Sequence, residues 1–151
     1  MFTQRTGHQI MLAVFAAMIV TLTSSAGRAE PLKPVYDKAQ QFKNDALSFL
    51  GRLVSIDSGA GDEQGVNGVG ALVTEELKKL EARVEISSAK PAAGDNIVAT
   101  LTGSAKGKVL LIAHMDTVFA KGTVAARPFR IANDRAYGPG VSDNKGGVVT
   151  P

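Results

Sequence analysis

Three residues of this 151-residue sequence carry most of its chemical promise: His114, Asp116 and Asp143. His114-Met115-Asp116 follows directly on the apolar run Val109–Ala113. Residues two apart on a strand share a side, so His114 and Asp116 face the same way. A carboxylate beside an imidazole fixes its tautomer and raises its basicity, which suits metal ligation. Asp143 comes 27 residues after Asp116, inside Tyr137-Gly-Pro-Gly-Val-Ser-Asp-Asn-Lys-Gly-Gly147. So many glycines around one acid imply a loop with close backbone packing or unusual dihedrals. If Gly146 and Gly147 open a helix, its first amides face the same place. Taken singly, a histidine at a strand end is more often structural, and an aspartate among glycines is usually a turn residue. Specificity lies in the combination.

Counting sharpens the focus on His114. The sequence has two histidines and no cysteine, so zinc ribbons, thiol proteases and CxxC redox chemistry are excluded. Residues 1–29 read as a secretory leader: a polar start with Arg5, an apolar core Ile10–Leu22, and a small-residue exit. The core falls short of the roughly 20 residues a membrane span needs. Cleavage is expected after Ala29, with Ala26 as the other small-residue site and an uncleaved anchor as the alternative. The leader takes His8 with it, leaving one histidine in residues 30–151. It also holds two of the 17 basic residues and no acid, so the formal +3 falls to +1. Nucleic-acid binding thereby loses its compositional support, and no membrane span is expected after cleavage.

Positioning these residues requires a layered domain. Apolar residues recur at helical spacing from Tyr36 to Ile56 and again from Val66 to Leu80, with Gly59–Asp62 as a loop between them. The period then changes. Arg83–Ser87 and Asn96–Leu101 alternate as strands, and Phe129–Ile131 with Arg135–Tyr137 read as a hairpin around Ala132-Asn133-Asp134. Val109–Ala113 is continuously apolar, the pattern of a strand buried on both faces. Helices followed by strands, one of them fully buried, predict an α/β domain. Neither glycine cluster is a nucleotide loop. Position 64, where a dinucleotide fingerprint needs glycine, is Gln, and position 143, where a phosphate loop needs it, is Asp. No GxSxG elbow supports a serine hydrolase built on His114 and Asp116.

The run from Asp95-Asn-Ile-Val through His114-Met-Asp-Thr-Val, Pro128-Phe and Ala136-Tyr-Gly-Pro-Gly to Asp143-Asn-Lys-Gly-Gly resembles the zinc-dependent aminoacylase and carboxypeptidase family. That family includes acetylornithine deacetylase, succinyl-diaminopimelate desuccinylase and secreted glutamate carboxypeptidases. The likeness is strongest to the last, and it extends to Ser58-Gly-Ala-Gly-Asp62 and to the leader. It implies the N-terminal part of a mixed-sheet di-zinc exopeptidase catalytic domain at residues 30–151. His114 would ligate one zinc, Asp143 would bridge two, and Asp116 would orient His114 as part of the catalytic apparatus. The Asp143–Asn144 peptide would be cis. The implied reaction is metal-dependent hydrolysis of an amide bond next to a C-terminal carboxylate, in small peptides, N-acyl amino acids or folate-like molecules, by a periplasmic or secreted enzyme. Family members continue past this point with a glutamate general base, further ligands and a lid or dimerisation domain. This chain is therefore expected to be a fragment inactive alone, and a homodimer belongs to the full-length relative. The competing expectation is an exported, non-catalytic remnant or binding protein that keeps half of the fold.

Overall fold

The structure, a computed structural model, describes residues 30–150. The leader expected at residues 1–29 lies outside the described residues. The chain divides into two units after Asp37. Of the first, the described part is the lead-in and the opening turn of helix α1 (Lys33–Val54), where Lys33 pairs with Asp37 at 2.7 Å.

In the second unit, α1 buries only its C-terminal end, through Leu50, Leu53 and Val54. Helix α2 (Glu63–Lys79) contributes Val66 and Val69 to the same small core. Asp62 caps α2 by accepting the Gly65 N–H at 3.1 Å, which satisfies one of the free amides of a helix start. Arg52 of α1 reaches Glu75 and Glu76 of α2 at 3.4 and 3.2 Å. The charged face of α2 thus also ties the two helices together. Strands β1 (Arg83–Ser88) and β2 (Asp95–Thr100) pair antiparallel, Arg83 opposite Thr100. Gly70 lets α2 approach them: a Cβ there would meet Ile97 Cδ1 at 3.1 Å and Met115 Cε at 3.5 Å.

Helix α3 (Thr123–Ala126) is a single turn. Strands β3 (Arg130–Ala132) and β4 (Arg135–Tyr137) form the second antiparallel hairpin. Its two turn residues, Asn133 and Asp134, have φ of 50° and 57°, the double left-handed geometry that suits the twist of adjoining strands. A wide turn at Val141–Lys145 then leads into α4 (Gly146–Val149). The architecture is α/β, with antiparallel hairpins and one isolated parallel bridge, Gly59 to Thr117.

One expectation is overturned. Val109–Ala113 is not a buried strand: it joins no sheet among the described residues, and Val109 to Ile112 are between 76% and 88% exposed. An apolar run records a need for burial, and what would cover it is not supplied by the elements described.

Candidate metal centre

His114, Asp116 and Asp143 are brought together. Asp116 Oδ1 lies 3.0 Å from His114 Nδ1, and the Asp116 carbonyl oxygen lies 3.1 Å from the same nitrogen. Asp143 Oδ1 lies 2.9 Å from the other ring nitrogen, Nε2. The same-side placement expected of a strand is therefore present, although the segment pairs with no strand among the described residues.

The histidine segment is stitched to the loop that follows α1. Thr117 N–H donates to the Ser58 carbonyl at 2.7 Å, and Ala60 N–H donates to the Thr117 carbonyl at 2.8 Å. Ser58, fully buried, donates its hydroxyl to the Met115 carbonyl at 3.0 Å. Those bonds grip the backbone on both sides of Asp116. Gly59 fits this seam because a Cβ there would lie 2.4 Å from the Phe119 carbonyl oxygen. Asp57, next in the same segment, accepts the N–H groups of Gly122 and Val124 at 2.7 and 3.0 Å. These two bonds hold the Asp57 carboxyl below the usual carboxylate range, against a smaller opposing effect of burial. They also cap α3 from a distance.

Asp143 sits in the wide turn Val141–Lys145, and its peptide bond to Asn144 is cis. Its side chain is 79% exposed. Lys145, by contrast, is completely buried and donates to the carbonyls of Leu53 and Ile56 at 2.9 and 2.7 Å. Burial pushes its ammonium pKa down to about 8, with the Asp57 charge opposing. Burial likewise pulls on His114, but its hydrogen bonds to Asp143 and then Asp116 outweigh that, so its pKa is raised above 6.5.

In kind, the donors suit a divalent cation: an imidazole nitrogen facing an exposed carboxylate, with the second ring nitrogen held by another carboxylate. In number they are incomplete. Asp116 stands on the Nδ1 side, so only His114 Nε2 and Asp143 converge. Among the described residues no cluster of three His, Asp or Glu side chains has the geometry to hold a metal. Glu75 and Glu76 are engaged by Arg52, and Glu76 also by Lys79 at 2.8 Å.

Ser58, Asp57 and Lys145 escape a reading of local sequence, because their partners lie 57 to 92 residues away. The one local sign is that Ser58 and Lys145 each border a glycine cluster.

A family model described as peptidase family M20/M25/M40 matches residues 110–150, the stretch that contains all three site residues and Lys145. Carboxypeptidase G2 of Pseudomonas sp. (strain RS-16) is 39% identical over 136 residues, covering 89% of this chain. The chain spans 32% of the length of that curated relative. The matched motifs, the identity along most of the sequence and the convergence of His114 with Asp143 point the same way: the chain is similar to peptidase family M20/M25/M40 over residues 110–150 and to a carboxypeptidase over most of its length.

Proposed function

We propose that the chain is part of an exported, metal-dependent hydrolase that cleaves an amide bond next to a C-terminal carboxylate, releasing glutamate from small peptides, N-acyl amino acids or folate-like molecules. The observation that carries this reading is the facing pair, His114 Nε2 and Asp143 Oδ1 at 2.9 Å, within the segment that matches a peptidase family. His114 would ligate one divalent ion and Asp143 would bridge it to a second, with zinc as the metal. Such ions, when bound, supply Lewis acidity toward an amide carbonyl.

The chain's own residues present and orient. Asp116 accepts the Nδ1–H of His114, so Nε2, which faces Asp143 at 2.9 Å, would be the nitrogen that gives up its proton and offers a lone pair to a metal. The seam between Ser58 and Thr117 keeps that ring in place. Asp143 offers an exposed carboxylate on the opposite side. Two converging donors, with Glu75 and Glu76 committed elsewhere, support the further reading that the 151-residue chain alone turns over no substrate. The same two-donor count is the observation that favours a second reading, an exported protein that keeps this part of the fold without catalysis.

A chimera separates the two. The 136 matched residues would replace their counterpart in the Pseudomonas carboxypeptidase G2. The expected result is a chimera that retains carboxypeptidase activity and loses both activity and its second metal equivalent on Asp143→Ala. A folded, metal-loaded but inactive chimera would favour the non-catalytic reading. Unchanged metal stoichiometry in the Asp143→Ala variant would defeat the bridging role.

A further inference from the structure

Asp143 poses a positional problem. Its carboxylate must stand opposite His114, yet its own side chain is 79% exposed and its hydrogen-bond partner among the described residues is His114 itself, which is also half exposed. Within Val141–Lys145 the side chain that is fully buried is Lys145. Its Nζ reaches the carbonyls of Leu53, in the last turn of α1, and Ile56, two residues past its end, at 2.9 and 2.7 Å. The Leu53 carbonyl also accepts the Ile56 N–H at 3.3 Å, and a cation beside a helix C-terminus complements the helix dipole. The Lys145 backbone N–H closes the loop by donating to the Gly140 carbonyl at 2.9 Å.

Gly140, at φ 79°, completes the fit. A Cβ there would lie 2.6 Å from Thr117 Cγ2 and 3.4 Å from Lys145 Cδ. The lysine stem and the histidine segment therefore meet across one glycine. Filling space does not account for this residue, because burying an ammonium is costly unless its donors are satisfied. An apolar side chain would fill the same volume without that cost.

We propose that Lys145 is the positioning residue of the Asp143 loop: its ammonium pins the loop to the Leu53 and Ile56 carbonyls and so fixes where the Asp143 carboxylate stands opposite His114. This rests on the reading of His114 and Asp143 as metal ligands. The partners that orient a metal ligand are typically worth about 10–100-fold in metal affinity, and Lys145 acts at the same remove.

The test uses the full chain with Zn2+, by competition against a chromophoric chelator, and with Co2+, by its visible absorption. Lys145→Met keeps the stem's bulk, and Lys145→Ala leaves room for n-propylammonium. Both variants are expected to bind Zn2+ about 10–100-fold more weakly, with an altered Co2+ spectrum and an unchanged far-ultraviolet circular dichroism spectrum. Added n-propylammonium should restore Lys145→Ala, whereas the wider tert-butylammonium should not. Wild-type affinity in either folded variant would overturn the proposal and leave the metal site standing. Absence of Zn2+ binding by the wild type would overturn the metal site and the proposal together. Loss of helical signal in both variants would assign Lys145 to overall stability and overturn its positioning role.

Discussion

Replacing Leu110 and Ile112 together by lysine should improve the solution behaviour of this chain without weakening its fold. Burying a valine, leucine or isoleucine side chain is worth about 1.5–3 kcal/mol. Val109, Leu110, Leu111 and Ile112 are 88%, 81%, 76% and 84% exposed. At those exposures the four side chains forgo about 5–10 kcal/mol of burial. That approaches the whole stability of an ordinary small domain, about 5–15 kcal/mol. Among the described residues the segment also leaves its backbone donors and acceptors without a strand partner, the condition that invites edge-to-edge association. The wild-type chain should therefore self-associate and bind a hydrophobic dye, and the double variant should sediment as a monomer with weaker dye binding. Because both positions are exposed, the thermal transition should move by no more than about 0.5 kcal/mol equivalent. Sedimentation velocity, dye fluorescence and thermal melts of the two proteins make the comparison. The reasoning fails if the double variant unfolds, since two lysines at buried strand positions would cost more than about 4 kcal/mol. It fails equally if the wild type is a monomer that ignores the dye.

Ser58→Ala removes the hydroxyl bonded to the Met115 carbonyl at 3.0 Å. It should lower stability by about 1–2 kcal/mol and weaken Zn2+ binding, and unaltered Zn2+ affinity would show that the seam does not hold His114. In the metal-free chain, His114 should titrate above the ordinary 6.5, and Asp143→Asn should lower its midpoint. Because the folded value is the higher one, the stability contributed by protonated His114 is fully present below about 6.5 and is lost as pH rises through the folded value. Imidazole proton resonances followed across pH check this, and a wild-type midpoint at or below 6.5 would contradict it. Export with cleavage after Ala29 should yield a protein beginning at Glu30, and N-terminal sequencing that finds Met1 on a membrane-bound product would exclude cleavage.

The parts legible in the sequence are those whose causes are local. Helical spacing locates α1 and α2, alternation locates strands β1 and β2, and the turn Ala132-Asn133-Asp134 locates the second hairpin, each within a few residues of Lys33–Val54, Glu63–Lys79, Arg83–Ser88, Asp95–Thr100, Arg130–Ala132 and Arg135–Tyr137. Apolar periodicity places the start of α2 at Val66, whereas the helix begins after its Asp62 cap. Helix α3 has no local signature, since the amides of its cap residue Gly122 and of Val124 are satisfied by Asp57, 65 and 67 residues upstream. Lys145 ran against the strongest compositional habit of lysine, which is almost never fully buried without a partner. Its partners are backbone carbonyls, which carry no sequence signature. Val109–Ala113 failed for a different reason: the pattern is sound, but its burial depends on something other than the elements beside it.

These long-range ties share one reference point. His114 and Asp116 are held by Ser58 and Ala60 through Thr117 and Met115. On the present proposal, Asp143 is held through Lys145 by Leu53 and Ile56. Both halves of the facing pair are thus registered against a single segment, residues 53–60, where α1 ends and turns toward α2. That segment is fixed from within by Leu53 and Val54, both fully buried. Its Asp57 carbonyl is packed so closely on Gly65 of α2 that a Cβ there would lie 2.0 Å away. A pair of exposed side chains from distant parts of the chain cannot set its own spacing, because each alone is free to move through solvent. Anchoring both to one rigid helix end sets the spacing through backbone bonds instead. The 2.9 Å approach of His114 to Asp143 is then a property of how α1 terminates as much as of the two residues that meet.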